Sequence, residues 1–240
     1  QFLLPHTTEA ENAYLQQAEF RNTDWFKELF SPAIMQNHSV SLSGGTAKSN
    51  YYASLNANLD PGWNKYENSQ TYSFNFNADF RPFKGWSFGI RSTASYGKVH
   101  YGGDWRPGSY APTASRTLDP NTFYAYDYTP FNIKHELDNN YIDLGVKDIK
   151  LQLELKWKPI KGLTLALLGA YKDSGTTMES IVTEYANRAL AFRAMQDATV
   201  RNGNQYLWKD QDKPNSLPET ILPAGGFYNT QTRTMESYDF

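Results

Sequence analysis

Residues 71–97 decide the fold: Thr-Tyr-Ser-Phe-Asn-Phe-Asn-Ala-Asp-Phe-Arg-Pro-Phe-Lys-Gly-Trp-Ser-Phe-Gly-Ile-Arg-Ser-Thr-Ala-Ser-Tyr-Gly. Apolar and polar residues alternate from Thr71 to Phe80 and, with Ser92 as the exception, from Trp86 to Tyr96. A period of two is typical of β-strands whose two faces meet different surroundings. The intervening turn contains Pro and Gly, which favour tight reversals. The stretch therefore predicts a long antiparallel hairpin.

The same alternation recurs along the chain and predicts six strands in all. The four further strands lie at 38–43, 51–59, 149–157 and 163–171. Most approach the roughly 9–11 residues that a tilted strand needs to cross a bilayer, whereas soluble strands usually have about 5–6. Their apolar faces begin or end in aromatic residues, as in the interfacial girdles of membrane barrels. The predicted girdle residues are Phe80, Trp86, Tyr96, Trp157 and Tyr171.

The composition agrees with this class and excludes several others. The 240 residues contain 23 Lys and Arg against 25 Asp and Glu, and the resulting net charge of −2 disfavours a nucleic-acid partner. Cysteine is absent, so disulfides, thiolate metal sites and cysteine nucleophiles are impossible. Aromatic residues make up 15% of a chain whose mean hydropathy is only −0.66. That combination suits a transmembrane β-barrel, whose strands alternate lipid-facing and lumen-facing residues.

A repeated turn indicates the orientation of the strands. Arg-Pro-Phe-Lys-Gly at 81–85 reappears as Lys-Pro-Ile-Lys-Gly at 158–162, each time between two alternating segments. Short turns of bacterial barrels are periplasmic and long loops are extracellular. The long segments 98–147 and 173–234 are therefore predicted to be extracellular, the second with a helix near 180–196.

Counting strand directions extends this prediction to both ends. Residues 1–35 are expected to form an extracellular segment with short helices, 36–172 to carry the barrel strands, and 235–240 to open the next strand. The count also requires a strand before residue 1, and six strands are too few to close a barrel. We therefore expect the chain to be a piece of a larger protein.

Several motifs carry a resemblance to a known family. They are Asn-Thr-Asp-Trp at 22–25, Gln-Asn-His-Ser-Val-Ser-Leu-Ser-Gly-Gly at 36–45, Asn-Tyr-Tyr-Ala-Ser-Leu at 50–55 and Leu-Pro-Ala-Gly-Gly-Phe-Tyr at 222–228. In these segments the chain resembles the SusC/RagA-type TonB-dependent outer-membrane transporters of Bacteroidetes. The resemblance implies an all-β fold, a partial antiparallel transmembrane barrel that supplies six or so strands of a plugged barrel of about 22 strands.

The resemblance also implies a function and partners. Members of this family import oligosaccharides or oligopeptides across the outer membrane with energy from TonB, and work with a SusD-like surface lipoprotein that acts as a lid. The plug and the TonB-binding segment would lie outside this chain. Two alternatives stay open on the residues alone: a passive porin-like barrel and a soluble β-sandwich that binds glycans.

The aromatic residues of the first long loop are the candidate substrate contacts. Aromatic rings stack on sugar faces or peptide side chains, while Asp and Arg provide directional hydrogen bonds. The alternative is that these residues pack the loop against itself or against the lid. The candidates are Trp105, Arg106, Tyr124, Tyr126 and Tyr128.

The polar strand faces are expected to line a wet or plug-filled lumen, and their opposite faces to contact membrane lipid. The predicted lumen-facing residues are Asn75, Asn77, Asp79, Arg91, Lys150 and Glu154. The four histidines lack metal-ligand spacing, and no catalytic or nucleotide-binding motif occurs. The sequence therefore predicts no catalytic residue, no metal and no cofactor.

Overall fold

The computed structural model describes residues 7–126, 129–193, 207–208, 212, 219–220 and 224–240. Within these residues, no helix combines the length and the hydropathy that crossing a membrane requires. The elements in chain order are α1 (Thr8–Phe20), α2 (Trp25–Leu29), β1 (Gln36–Thr46), β2 (Ser49–Asp60), β3 (Asn68–Phe80), β4 (Trp86–Gly102), α3 (Pro107–Tyr110), β5 (Tyr124–Tyr126), β6 (Thr129–Phe131), α4 (Ile133–Asn139), β7 (Asn140–Trp157), β8 (Leu165–Val182), α5 (Asn187–Arg193), β9 (Leu207–Trp208), β10 (Glu219–Thr220) and β11 (Phe227–Asp239).

Seven long strands form one sheet in the order β1-β2-β3-β4-β7-β8-β11. Every neighbouring pair is antiparallel, and the short strands form two separate pairs, β5–β6 and β9–β10. This up-and-down order confirms the predicted all-β class and the partial antiparallel barrel. We call the edge with the connections 47–48, 81–85 and 158–164 the turn end, and the opposite edge the loop end.

The repeated Pro-Gly turns are tight hairpins, as predicted, and they lie side by side. Gly85 and Gly162 have φ of +84° and +90°, a region in which a Cβ is strained. The Lys158 amide donates to the Gly85 carbonyl at 2.8 Å, which joins the two turns. A Cβ on Gly85 would stand 2.6 Å from the Lys158 carbonyl oxygen, so glycine is required there for close approach as well as for φ.

The strands extend further towards the loop end than the sequence predicts. The loop expected at 98–147 covers only 103–139, because β4 continues to Gly102 and β7 begins at Asn140. Likewise β8 continues to Val182 and β11 begins at Phe227, which shortens the segment expected at 173–234 and starts the last strand before 235. Beyond the apolar zone the pattern changes while backbone pairing continues: Ile142, Leu144 and Val146 of β7 lie on the opposite face, and β8 is mostly polar on both faces.

The helix expected near 180–196 begins later than predicted. Residue Ser180, at the predicted start, lies in β8 and is paired with Asn229 of β11. The helix that forms, α5, starts at Asn187; residues 194–196 lie outside the described part of the chain. Helical spacing of the apolar residues was therefore misleading at 180–182, where strand pairing on both sides prevails.

One face of the sheet is a continuous apolar surface exposed to the surroundings. Directly paired residues share a face, and Leu55, Phe74, Ala94 and Ile149 form one such row across four strands. Leu55 is 61% exposed, Leu153 50% and Leu167 65%, so no residue that the structure describes covers these side chains. Apolar side chains of this extent avoid water only by contacting another apolar phase.

The aromatic edges of this apolar belt show that the strands are tilted. Two rows of directly paired residues serve as references: Tyr72, Tyr96, Lys147 and Gly175, and Tyr51, Ala78, Ile90 and Leu153. On β3 the loop-end edge of the belt is Tyr72, whose row leads to Gly175 on β8. The edge on β8 is Tyr171, four residues nearer the turn end. On β2 the turn-end edge is Tyr51, whose row leads to Leu153 on β7. The edge on β7 is Trp157, four residues nearer the turn end. Both edges are thus displaced by the same amount and in the same direction.

This displacement can be converted into a tilt angle. Four residues at about 3.3 Å, over three strand spacings of about 4.8 Å, correspond to a tilt of roughly 43°. Trp86 and Tyr96, ten residues apart on β4, are then separated by about 24 Å along the belt normal. Membrane barrels have tilts of about 35–45° and apolar bands of about 25 Å. The belt therefore has the dimensions of a bilayer-spanning surface.

A pair of arginine substitutions tests the two faces. Leu153→Arg places a charge at the middle of the belt on β7 and should cost about 2–4 kcal/mol in a lipid bilayer. The adjacent Gln152→Arg points to the opposite face, where its cost should be limited to repulsion from the paired Arg91, roughly 0.2–1 kcal/mol. Urea unfolding of the full-length protein in lipid vesicles measures both variants, and equal losses would contradict the assignment of the faces.

Candidate functional site

The loop end carries a small hydrophobic core of its own. Its buried members come from the segment around α2 and from the 103–139 loop, and are Trp25, Leu29, Ala111, Phe131, Ile133 and Leu137. Asp24 caps α2 by accepting from the amides of Phe26 and Lys27. The Trp25 indole donates to the Ser115 carbonyl at 2.9 Å. The loop is therefore a packed structure on which side chains can be held in place.

A buried carboxylate connects this loop to the segment after β8. Glu136 of α4 is 1% exposed. Its Oε2 accepts from the backbone amide of Asn187 at 2.7 Å, and its Oε1 from the Asn140 side chain at 3.1 Å. The Asn187 side chain in turn donates to Thr129 Oγ1. Because helix N-termini favour negative charge, Glu136 is well placed to fix the start of α5.

An open recess of about 410 Å³ lies above this network. It is lined by Asp104, Trp105, Tyr126, Asn187, Arg188 and Ala191. The Trp105 and Tyr126 ring centroids are 5.4 Å apart with their planes at 75°. Arg188 Nη1 lies 3.3 Å from Asp104 Oδ2, and both side chains are more than half exposed. The recess thus combines two aromatic rings with one acidic and one basic group.

The aromatic pair and the ion pair of the recess are both held in place by neighbours outside it. Trp105 also packs on Phe131, with ring centroids 4.6 Å apart. Asp104 accepts from the Asn140 side chain at 2.9 Å, and the Arg188 guanidinium lies over the Phe227 ring at 5.6 Å. Aromatic surface next to an exposed ion pair can bind a ligand that has both apolar and charged groups.

The structure brings together only two of the five candidate substrate contacts, Trp105 and Tyr126. Arg106 lies over the Tyr101 ring at 4.7 Å and 3.8 Å from Glu67. Tyr124 is partly buried, and its hydroxyl hydrogen-bonds to the backbone of Asp119. Tyr128 lies outside the described residues. Arg106 and Tyr124 therefore hold the loop together, which was the alternative interpretation of the aromatic cluster.

The recess also contains residues that the sequence did not indicate as ligand contacts. Asp104 could have been identified from the sequence, because it directly precedes the candidate residue Trp105 in the aromatic stretch. Arg188 and Asn187 come from α5, more than 80 residues further along the chain. Only the pairing of β7 with β8 brings α5 to the 103–139 loop, so no local pattern could identify them.

Burial keeps the core tyrosines protonated. Burial, and then the negative charges of Asp138 and Glu28, raise the pKa of Tyr66 to about 12. Burial likewise raises the pKa of Tyr110. A neutral phenol that packs in a loop core is stable there, whereas a phenolate would require water or a cation.

The polar face of the sheet carries paired charges near the turn end. Arg91 donates to both carboxylate oxygens of Asp79, at 2.8 and 3.1 Å. Lys156 Nζ lies 2.6 Å from Glu154 Oε1 on β7. The predicted lumen-facing residues all lie on this face, opposite the belt: Asn75, Asn77, Asp79, Arg91, Lys150 and Glu154. The predicted girdle residues all lie on the belt face, at its two edges.

Histidines and carboxylates form no metal centre in the part of the chain that the structure describes, where no group of three or more such residues converges. His100 Nδ1 lies 2.7 Å from Asp143 Oδ1, and His135 packs on the Phe123 ring. His6 lies outside the described residues. The polar chemistry at the loop end is thus that of hydrogen bonding and ion pairing.

The tilt, the apolar belt and the polar opposite face define a segment of an outer-membrane type of barrel. The TonB-dependent receptor P26 of Formosa agariphila is 35% identical to this chain over 88 residues, which are 35% of this chain and 9% of that protein. No protein-family model matches the chain. The resemblance to TonB-dependent transporters predicted from the motifs is confirmed by this relative.

Solved transporters share the fold. The structure of the RagAB peptide transporter superposes with a TM-score of 0.57 and 20% identity, over 67% of this chain and 20% of that one. The RagAB peptide importer in its closed-closed state gives 0.57 and 22% over the same shares, and its open-open state 0.56 and 21% over 65% and 19%. The chain thus spans about a fifth of these structures.

Removal of the Glu136 carboxylate should detach α5 from the loop. Glu136→Ala leaves the buried Asn187 amide unsatisfied, a loss of about 1–3 kcal/mol. We expect faster hydrogen exchange at 183–193 while the strands stay protected. The control is Glu9→Ala, which removes an exposed carboxylate from α1. Unchanged exchange at 183–193 in Glu136→Ala would show that the carboxylate is dispensable.

Tyr66 should be among the last tyrosines to ionise. Its folded pKa of about 12 lies above the ordinary tyrosine value of 10.0, so the stabilisation from its neutral form is complete below pH 10 and is lost as the pH rises through about 12. In an absorbance titration, the tyrosinate signal of Tyr66→Phe should be smaller than that of the unmodified protein only near pH 12. Amplitude missing near pH 10 instead would contradict the effect of burial.

Proposed function

We propose that this chain forms part of a TonB-dependent active importer in the bacterial outer membrane. The bilayer-sized belt supports the membrane placement, and the receptor and transporter relatives support TonB-dependent import rather than catalysis. In this proposal the belt faces lipid, the girdle residues lie at the two interfaces, and the loop end is extracellular. The polar face lines the lumen, where the paired Asp79–Arg91 and Glu154–Lys156 charges contact a plug domain.

The recess at Trp105 is the proposed contact for the incoming substrate. One observation carries this proposal: Asp104 and Arg188 present opposite charges beside the rings of Trp105 and Tyr126. A short peptide has an ammonium group, a carboxylate and apolar side chains, so it can use all of these groups. A neutral oligosaccharide can stack on the aromatic faces and hydrogen-bond to Asp104 and Arg188, but it has no charge to pair with either. Oligopeptides are therefore the proposed substrate class and oligosaccharides the second candidate.

A SusD-like surface lipoprotein is the proposed partner at the loop end. Leu15 and Phe20 of α1 are 61% and 87% exposed, and none of the residues of α1 is buried. Exposed apolar side chains of this size are typical of protein–protein contacts. Mass spectrometry of chains that co-purify with the detergent-extracted full-length protein tests this partner, and a protein that purifies alone under mild conditions would argue against it.

Two substitutions distinguish the substrate classes. Arg188→Gln removes the cation that would bind a carboxylate, and we expect a loss of about tenfold or more in affinity for acidic and zwitterionic peptides. Binding of neutral oligosaccharides should fall less, because the glutamine amide can still donate a hydrogen bond to a sugar hydroxyl. Trp105→Ala should weaken binding of either class, because both would use the ring. Titration of the full-length protein with labelled tri- to decapeptides and with malto-oligosaccharides provides the measurement.

The control for these variants is Arg116→Gln. Arg116 belongs to the same loop but lies near Asn22, away from the recess. Equal affinities in Arg188→Gln, Arg116→Gln and the unmodified protein would overturn the proposed site. Uptake that persists after deletion of TonB would overturn active import and leave a passive porin-like barrel.

A further inference from the structure

The turn end carries a recess of about 830 Å³ on the polar face of the sheet. Side chains of β3, β4 and β7 that lie opposite the belt form its floor, and residues of the three connections at the turn end form its rim. Its volume is within the range of about 300–1,000 Å³ that is usual for ligand pockets. The polar floor residues are Asp79, Ser87, Arg91, Glu154 and Lys156, and the basic rim residues are Lys48, Arg81, Lys84 and Lys158.

The charges of this turn-end recess are strongly one-sided. Six basic residues line it, against two acidic ones. Both carboxylates are already paired, because Arg91 donates to the two oxygens of Asp79 at 2.8 and 3.1 Å and Lys156 Nζ lies 2.6 Å from Glu154 Oε1. The four basic side chains of the rim make no hydrogen bond or ion pair with any residue that the structure describes. The recess therefore presents four uncompensated positive charges, and these select an anion.

Backbone hydrogen bonds hold the rim charges side by side. The Arg81 amide donates to the Lys48 carbonyl at 2.7 Å, and the Lys158 amide donates to the Gly85 carbonyl at 2.8 Å. The three connections are thus joined, and they cannot separate to relieve the repulsion between their cations without breaking these bonds. That repulsion is unfavourable unless an anion lies among the cations. The rim is therefore a preformed surface for several carboxylates.

The position of the recess indicates where the anion comes from. In the proposed placement lipid contacts the belt, and the recess lies on the other face, so lipid phosphates do not reach its floor. The chain spans about a fifth of the solved transporters that share its fold, so most of the polypeptide of such a protein lies outside these 240 residues. A segment of that polypeptide is always present, whereas a transported peptide is present only in transit. Fixed charges on a fixed rim favour the permanent partner.

We propose that the turn-end recess binds an acidic segment of the full-length protein that lies outside this chain and enters the lumen. The aspartate and glutamate side chains of the segment pair with the four rim cations, while the floor carboxylates keep their own partners. This contact rests on the proposed function, in which the polar face lines the lumen and contacts a plug domain. It adds the chemistry of that contact and its place at the turn end.

A matched set of lysine substitutions tests the contact. Lys84 lines the recess, whereas Lys161, which has the same place in the second copy of the repeated turn, does not. Lys84→Gln, Lys158→Gln and the control Lys161→Gln are made in the full-length protein in lipid vesicles. A carbodiimide couples lysine amines to carboxylates in direct contact, and mass spectrometry identifies the coupled peptides. Hydrogen exchange on the same samples shows whether the strands stay folded and whether the coupled segment is protected.

In the unmodified protein, Lys84 and Lys158 should couple to one segment outside residues 1–240. Amides of that segment should exchange about tenfold faster in Lys84→Gln and in Lys158→Gln, because each variant loses one charge-assisted bond. In Lys161→Gln the segment should exchange at the unmodified rate.

Three outcomes would overturn this contact: coupling only within residues 1–240 or none at all, coupling to a separate chain, and equal exchange in all variants. Labelled hexaglutamate that binds the unmodified protein but not Lys84→Gln would make a free peptide the occupant, and would equally overturn it. Failure of the proposed import is measured separately, as uptake that persists after deletion of TonB. TonB-dependent uptake without the coupling would therefore show that this contact alone has failed.

Discussion

Pairing of backbone amides between neighbouring strands is the constraint on which the rest of this structure depends. A peptide group in hydrocarbon has no water to bond with, so each N–H and C=O must find its partner on an adjacent strand. β2, β3, β4, β7 and β8 each have a partner on both sides. Once the pairing register is set, every side chain is assigned to one face or the other, and a slip of one residue would exchange the two faces.

The register explains why so simple a sequence pattern was sufficient for the fold. Alternation between Thr71 and Phe80 is a local property, and it specifies which side of β3 faces lipid without knowledge of any neighbour. The Pro-Gly turns are also local, since Gly85 requires its positive φ whatever surrounds it. Both features were therefore predictable from the sequence, and so was the antiparallel order that follows from short connections.

Features that depend on distant partners were not predictable in the same way. The ends of β4 and β8 are set by pairing beyond the belt, where the apolar residues of β7 change to the opposite face and β8 becomes mostly polar on both faces. The start of α5 depends on Glu136, more than 50 residues earlier in the chain. The recess needs Asp104 and Arg188 together, and only the folded sheet brings them within 3.3 Å. The aromatic stretch indicated the correct loop, while most of its rings serve the loop core.

The bond between Glu136 and the Asn187 amide has a mechanical consequence for the recess. One wall of the recess belongs to the 103–139 loop and the other to α5, and the buried carboxylate ties the two walls together from below. Spreading the walls would break the hydrogen bonds that the Glu136 side chain accepts from Asn187 and Asn140. The recess is therefore stiff in width and open above, so its shape limits the breadth of a group that enters it more than the length of that group.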